Sequence, residues 1–352
     1  VLRREGQFLV CNENRSLLMT SWVPPYLVSW GPIVACLVTW FVLAILLRTV
    51  SDRVLDHPNE RSLHQQPVPR IGGVGVTAGI AVSIPFVSPP EWWPLWLGAA
   101  LLVGVSFLDD LVGLPILARL IMHFVAAGGF VAGLLVGRIG IGWAVVAIVA
   151  TVWMTNLYNF MDGMDGLAGG MAVFGFGFLA CASWLAGNTS LTLMSLSIGS
   201  SAGAFLFFNF PPARIFLGDA GSTAFGFLAA GLGLIGWRDG TWSLWFPALV
   251  FSPFVVDATL TLLKRALQGE QFWLAHRTHY YQRLVLSGWG HRKTVLVEYG
   301  LMILCGMLAW AYHVAGDTVR PGILGLWALL MVSGMLGIHM AERMSARVRS
   351  NR

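Results

Sequence analysis

Long stretches of this chain are continuously apolar, and its polar residues gather at the joins between them. Alternation at every second residue is missing, so the runs read as helices rather than strands. A helix needs roughly 20 apolar residues to cross hydrocarbon, and a bilayer tolerates only internally hydrogen-bonded helices or closed barrels. Eleven candidate spans follow: 27–47, 71–88, 92–108, 116–136, 139–158, 164–186, 191–208, 221–237, 242–263, 295–314 and 321–340. The expected fold is an all-α, polytopic membrane helical bundle with about 10–11 transmembrane helices.

Composition agrees with that picture. The chain has 352 residues, 56% of them hydrophobic and 11% charged, against about 25% charged in a soluble domain. Its 41 glycines favour close helix packing, which in lipid replaces the hydrophobic drive. Sixteen of the 22 Lys and Arg fall on the side that carries the loop 48–70, so that side is expected to face the cytoplasm. The net charge of +5 then reports topology and contact with anionic headgroups, not nucleic-acid binding. Four scattered cysteines give no disulfide or zinc spacing, and no repeat of 20–50 residues is present. Residues 1–18 are polar, lack an initial Met and precede Met19, and are expected to be a non-native or disordered extension. One membrane domain over 19–342 and a basic cytosolic tail over 343–352 complete the organisation.

The sidedness of the acids and amides carries the chemistry. Asp109, Asp110, Asn156, Asn159, Asp162, Asp165, Asn209 and Asp219 all fall at helix ends on the basic side, together with His57, His64, His276, His279 and His291. Carboxylates beside hydrocarbon are costly and usually mark a working site.

Each segment also has a plainer reading. The adjacent carboxylates Asp109-Asp110 suit a magnesium or phosphate-positioning site, or a solvated helix cap. Asn156, Asn159, Asp162 and Asp165 recur every third residue, and Gly163 and Gly166 suggest that the helix ends or bends there. That row can wrap a diphosphate and a sugar, or form an ordinary Asn/Asp/Gly turn. Gly218-Asp219-Ala-Gly221-Ser222 opens a span at whose N-terminus anions are favoured. Asp219 there can hold a cation that bridges phosphate oxygens, or cap the helix. His276-Arg277-Thr-His279 lies in the largest basic loop. Its Arg and His can neutralise phosphate; zinc binding lacks a third ligand, and headgroup contact by a snorkelling Arg283 is the plain alternative. Gly72-Gly73 permits tight packing. Asp257 reads as the one deeper acid, expected to pair with an Arg or an amide.

Taken in order, Asp56-x-Pro58-Asn59 through His64 to Gly72-Gly73, Asp109-Asp110, Asn156-x-x-Asn159-x-x-Asp162-Gly-x-Asp165-Gly, Asn209-x-Pro through Asp219-x-Gly-Ser222, and His276-Arg277-x-His279 resemble the polyprenyl-phosphate N-acetylhexosamine-1-phosphate transferases, glycosyltransferase family 4. The His-Arg-x-His-x-Tyr-Gln-Arg form is most similar to the O-antigen-initiating subgroup; the three adjacent histidines of the peptidoglycan translocase are absent. The resemblance implies catalytic roles for Asp109, Asp110, Asp162 and Asp165, and metal ligation by Asp219 with Asp110. It implies substrate binding by Asn156, Asn159, Asn209, His64, His276, Arg277 and His279. The connection from Asp109 to Arg119 has no lysine, so a family lysine contact is unfilled or taken by Arg119.

The activity so implied is Mg2+-dependent, with Mn2+ as an alternative ion. Undecaprenyl phosphate would attack the β-phosphorus of a UDP-N-acetylhexosamine, release UMP and leave a lipid-linked diphosphosugar. The expected setting is the bacterial inner membrane with the site toward the cytoplasm, with the lipid bilayer as partner and a homodimer left open. A phosphate monoester has a second pKa of about 6, so a strong base is not required; Asp109 can orient phosphate and metal, or act as a base. Two rivals remain. A CDP-alcohol phosphotransferase needs an Arg that the run Asp165-Gly-Leu-Ala-Gly-Gly lacks. A membrane transporter of a lipid-linked or anionic solute would want polar residues near the midplane, where Asp257 is its main support.

Overall fold

The computed structural model describes residues 29–49, 55–58, 63, 66–271, 273–274 and 276–350, and for residues 110, 111 and 348–350 the backbone alone. His64 therefore lies outside the described residues, as does the side chain of Asp110.

Helices dominate: α1 (Gly31–Thr49), α2 (Gly72–Val87), α3 (Trp93–Val112), α4 (Ile116–Leu134), α5 (Val136–Phe160), α6 (Leu167–Leu185), α7 (Thr189–Asn209), α8 (Gly218–Arg238), α9 (Trp245–Val250), α10 (Ser252–Leu267), α11 (Tyr280–Leu284), α12 (Gly290–Val314) and α13 (Arg320–Ser350). Among the described residues nine helical segments are long and apolar enough to cross a membrane, α11 and α12 counting as one. This is the expected polytopic bundle, with two of the eleven spans altered. The span at 71–88 folds as α2, only 16 residues long with Pro85 inside it, or about 24 Å at 1.5 Å per residue. The span at 242–263 breaks at Phe251 into α9 and α10. Pro253 at the start of α10 has no N–H to give a preceding turn, which suits a helix beginning afresh.

α8 is the most enclosed of the long helices. It packs on α3, α5 and α2, and small residues let the backbones approach closely. A Cβ built on Gly226 would lie 2.7 Å from the Met154 carbonyl oxygen and 2.8 Å from Thr155 Cα. Phe130, Phe176, Phe205, Phe225 and Phe227 fill the buried space around it. The outer helices turn Leu117, Val146 and Leu329 outward, as a lipid-facing surface requires.

Helix alternation carries the C-termini of α1, α3, α5, α7 and α10 and the N-termini of α2, α4, α6, α8 and α11 to one end of the bundle. A short backbone splice organises that end. β1 (Leu55–Asp56) pairs antiparallel with β2 (Val68–Pro69), Leu55 opposite Pro69 and Asp56 opposite Val68. The chain then zips onto the entrance of α8: Phe216 N–H donates to Pro69 O (2.7 Å), Gly72 N–H to Phe216 O (2.8 Å) and Gly73 N–H to Leu217 O (2.6 Å). A side chain at Gly73 would meet the Gly221 Cα at 2.9 Å. The tight packing expected of Gly72-Gly73 is thus present, and it delivers Arg70 to Asp219.

Candidate active site

The centre of the polar end is built from α3, α4 and α8 with Arg70. Arg119 Nη1 donates to Asp109 Oδ2 at 2.8 Å and lies 3.8 Å from Asp219 Oδ2. The guanidinium of Arg70 pairs with the other oxygen of Asp219. Two carboxylates 110 positions apart in sequence therefore share one cation, and a second cation closes the group. Asp109 also accepts from Leu114 N–H at 2.6 Å through Oδ1, while Gly113, at φ +67, ends α3. One oxygen of Asp109 thus caps the helix exit, as the plainer reading expects, and the other accepts from the arginine.

α5 meets α8 beside this centre. Asn159 Nδ2 donates to Ser222 Oγ at 2.9 Å, and Ser106 and Thr223 hydroxyls lie 3.1 Å apart between α3 and α8. Asn156 and Asn159 sit on the last turns of α5, whereas Asp162 and Asp165 follow in the loop before Gly166, at φ +78. The helix therefore ends within the three-residue row, as its glycines imply. Burial pushes the Asp162 carboxyl well above the usual carboxylate range; Arg70 opposes that shift and Asp219 adds to it. Asp162 thus belongs electrostatically to the Arg70–Asp219 group.

Asp165 and Asn209 do something different. Asp165 Oδ2 accepts from Ala213 N–H at 3.0 Å, and its Oδ1 lies 3.1 Å from His291 Nδ1, close in distance but off a hydrogen-bond line. His291 Nε2 reaches Leu63 O at 3.2 Å. Asn209 accepts from Gly166 N–H at 2.8 Å and donates to Ile215 O at 2.8 Å. These side chains tie loops 161–166 and 210–217 to α12. Among the described residues no ion pair links Asp165 to Arg119 or Arg70, the arginines that join Asp109 and Asp219.

The histidine loop forms a third group. Asp257 Oδ1 lies 3.1 Å from His279 Nδ1, and the same carboxylate accepts from the N–H groups of Tyr280 (3.0 Å) and Tyr281 (3.2 Å) and the Thr261 hydroxyl (3.1 Å). Its partners are a histidine, a threonine hydroxyl and the backbone of α11, not the Arg or amide that sequence suggests. Nor is it the one deep acid: Glu298 on α12 is buried too. A single Glu inside an apolar run has no neighbouring motif to flag it. The His276 and His279 rings stack with centroids 4.8 Å apart, and Tyr281 Oη donates to Phe160 O at 3.4 Å, docking the loop beside Asp162. Burial lowers the His276 pKa to about 4, with His279 and Arg265 adding to the effect. His276 is therefore a neutral hydrogen-bonding group at pH 7, and the exposed Arg277 carries the loop's charge. Arg283 does not snorkel: it forks onto Glu342 of α13 at 2.7 and 2.6 Å.

The donor set suits a hard cation with few protein ligands. Among the described residues no cluster of three or more His, Cys, Asp or Glu forms a ready cage. Magnesium is usually held by one or two carboxylates plus substrate phosphates, and Asp219 beside Asp109 offers that pair. Arg70 and Arg119 already neutralise part of that negative charge, so a cation held there would share these carboxylates with two guanidinium groups.

The glycosyl transferase family 4 model matches residues 92–236, from α3 into the last turn of α8, with Asp109, Arg119 and Asp219 among them. A Bacillus subtilis protein named a probable undecaprenyl-phosphate N-acetylglucosaminyl 1-phosphate transferase is 28% identical, covering 87% of this chain and 88% of its own. A Synechococcus phospho-N-acetylmuramoyl-pentapeptide-transferase is 29% identical, with 78% and 88% covered. The undecaprenyl-phosphate alpha-N-acetylglucosaminyl 1-phosphate transferase of Escherichia coli O157:H7 is 25% identical, with 87% and 91% covered.

Proposed function

The chain is a member of the polyprenyl-phosphate hexosamine-1-phosphate transferase superfamily, and on that footing we propose that it moves an N-acetylhexosamine-1-phosphate from a UDP-sugar to undecaprenyl phosphate. UMP leaves, and the lipid-linked diphosphosugar starts an O-antigen or related envelope polysaccharide. The observation that carries this reading is the sharing of Arg119 by Asp109 and Asp219, with Arg70 alongside.

An oxygen of the lipid phosphate forms the new bond to the β-phosphorus, and the bond from that phosphorus to the UMP oxygen breaks. Such transfers depend on positioning and on neutralising phosphate charge. Arg70 and Arg119 supply two guanidinium forks, which match phosphate oxygens in geometry. Magnesium, when held by Asp219, would neutralise charge on the diphosphate. Asp109 aligns Arg119 and, because a phosphate monoester is largely dianionic at neutral pH, need not take a proton. Asn159 and Ser222 line the α5 side, and Tyr281 docks the histidine loop on the end of α5. The excess of Lys and Arg at this end favours a cytoplasmic position, where nucleotide sugars are made. The transporter reading loses its main support, because Asp257 is committed to His279 and the start of α11.

Purified protein, undecaprenyl phosphate and a panel of UDP-N-acetylhexosamines, with and without Mg2+, test the proposal. UMP and a matching lipid product with at least one sugar are expected. Absence of UMP across the panel, with the protein folded, would refute it.

A further inference from the structure

His123 belongs to no motif, yet it lies on α4 one turn beyond Arg119 and is only 7% exposed. Its Nδ1 is 2.9 Å from Asn156 Nδ2. That same Nδ2 is 2.7 Å from the carbonyl oxygen of Val152. A carbonyl oxygen only accepts, so the amide must turn its NH2 toward Val152, and the second hydrogen of that NH2 goes to His123. Nδ1 is then an acceptor, and the proton of the neutral ring resides on Nε2. Among the described residues Nε2 has no hydrogen-bond partner. This donor is held by a largely buried ring but is not itself enclosed, and it lies within electrostatic reach of Arg119 and Asp219, where a ligand oxygen can accept from it.

We propose that His123 is a phosphate-binding residue of the transfer site, its Nε2–H donating to a non-bridging phosphate oxygen, and that Asn156 is the positioning residue that fixes this tautomer. The inference rests on the transferase reading and deepens it. The acceptor is a phosphate oxygen from either of two sources, the lipid phosphate or the nucleotide diphosphate. A neutral donor adds a directed hydrogen bond to a place where Arg70 and Arg119 already supply positive charge. The only sequence signal is the i, i+4 spacing from Arg119, which puts both side chains on one helix face.

Binding of UDP and of dodecyl phosphate, a short lipid-phosphate analogue, is measured in detergent for wild type, His123→Leu and His123→Gln, alongside melting temperature. Leucine is expected to weaken one of the two ligands at least tenfold, which identifies the source, and glutamine, which keeps an N–H donor, to restore most of the loss. In wild-type protein with labelled histidine, the 15N spectrum should give His123 as the Nε2–H tautomer, its Nε2 signal moving when that ligand is added. Asn156→Asp, which places an acceptor against Nδ1, should add an ionisation to the pH profile of binding. Unchanged affinity for both ligands in folded His123→Leu, or an Nδ1–H tautomer in wild type, overturns the proposal. Absence of UMP release by wild type, with UDP binding still lost in His123→Leu, would refute the transferase reading and leave the donor role standing.

Discussion

Asp109 at the end of α3 and Asp219 at the start of α8 are joined through a single nitrogen, Arg119 Nη1, at 2.8 and 3.8 Å. Replacing Arg119 separates the function of that nitrogen from plain charge. Arg119→Gln should lower kcat by about 100–1,000-fold, since one charge-stabilising donor of this kind is worth about 2.7–4 kcal/mol. Arg119→Lys should recover only part, because a point charge on a flexible stem cannot bridge two carboxylates as a planar fork does. Steady-state UMP release gives the comparison, and full activity in Arg119→Gln would remove Arg119 from the site.

Asp162 gives a pH-dependent expectation. A carboxyl whose folded-state pKa is raised contributes stability below its ordinary range, and that contribution is lost as pH climbs through the raised value. Burial, opposed by Arg70 and reinforced by Asp219, raises Asp162 in this way. Asp162→Asn, which mimics the protonated form, should therefore raise the melting temperature at pH 8 and make little difference at pH 5. Thermal unfolding in detergent at the two values checks this. A lower melting temperature for the variant at pH 8 would show that the charged carboxylate is stabilised where it sits.

Removing Asp257 should disturb His279 and α11 together. Asp257→Ala orphans the N–H groups of Tyr280 and Tyr281 and frees the His279 ring. Each buried unpaired polar group costs about 1–3 kcal/mol, so a loss of about 3 kcal/mol is expected in denaturant unfolding. His279→Gln should cost less stability, because the backbone bonds of Asp257 survive. Equal losses in the two variants would mean that the histidine, not the backbone, is what Asp257 holds.

Arg283 and Glu342 should couple the histidine loop to α13. Their bidentate pair is partly buried, with side chains 18% and 31% exposed. A double-mutant cycle with Arg283→Met and Glu342→Gln is expected to show a coupling of about 1 kcal/mol. Additive effects would mean that the fork contributes no net stability.

The bundle is legible in the sequence because each span must satisfy its own backbone hydrogen bonds, so length and apolarity are enough to place it. Spans 71–88 and 242–263 differ for reasons outside hydropathy: α2 is short, and Pro253 lets α10 start anew after Phe251. Asp109, Asp219 and Arg119 stand out as polar residues at helix ends, and they meet, with Asn159 bonded to Ser222 beside them. Their partners are harder to see. Arg70 reaches Asp219 because the backbone of 69–73 splices onto 216–217, a pairing no local pattern encodes. His123 and Glu298 are single polar residues in helices, whose roles depend on a facing helix. Asp165 and Asn209 each lie inside a motif, yet their visible bonds hold loops together. A motif reports that residues matter without separating chemistry from scaffolding.

The central claim, that the carboxylates of α3 and α8 form one phosphoryl-transfer centre, is tested most directly by UMP release from Asp219→Asn in detergent, with melting temperature measured on the same sample. Asparagine keeps the size and loses the charge that faces Arg70 and Arg119. A fall in turnover of about 1,000-fold or more, equal to about 4 kcal/mol of transition-state stabilisation, is predicted for a protein that still melts as a folded bundle. Turnover within tenfold of wild type would contradict the account.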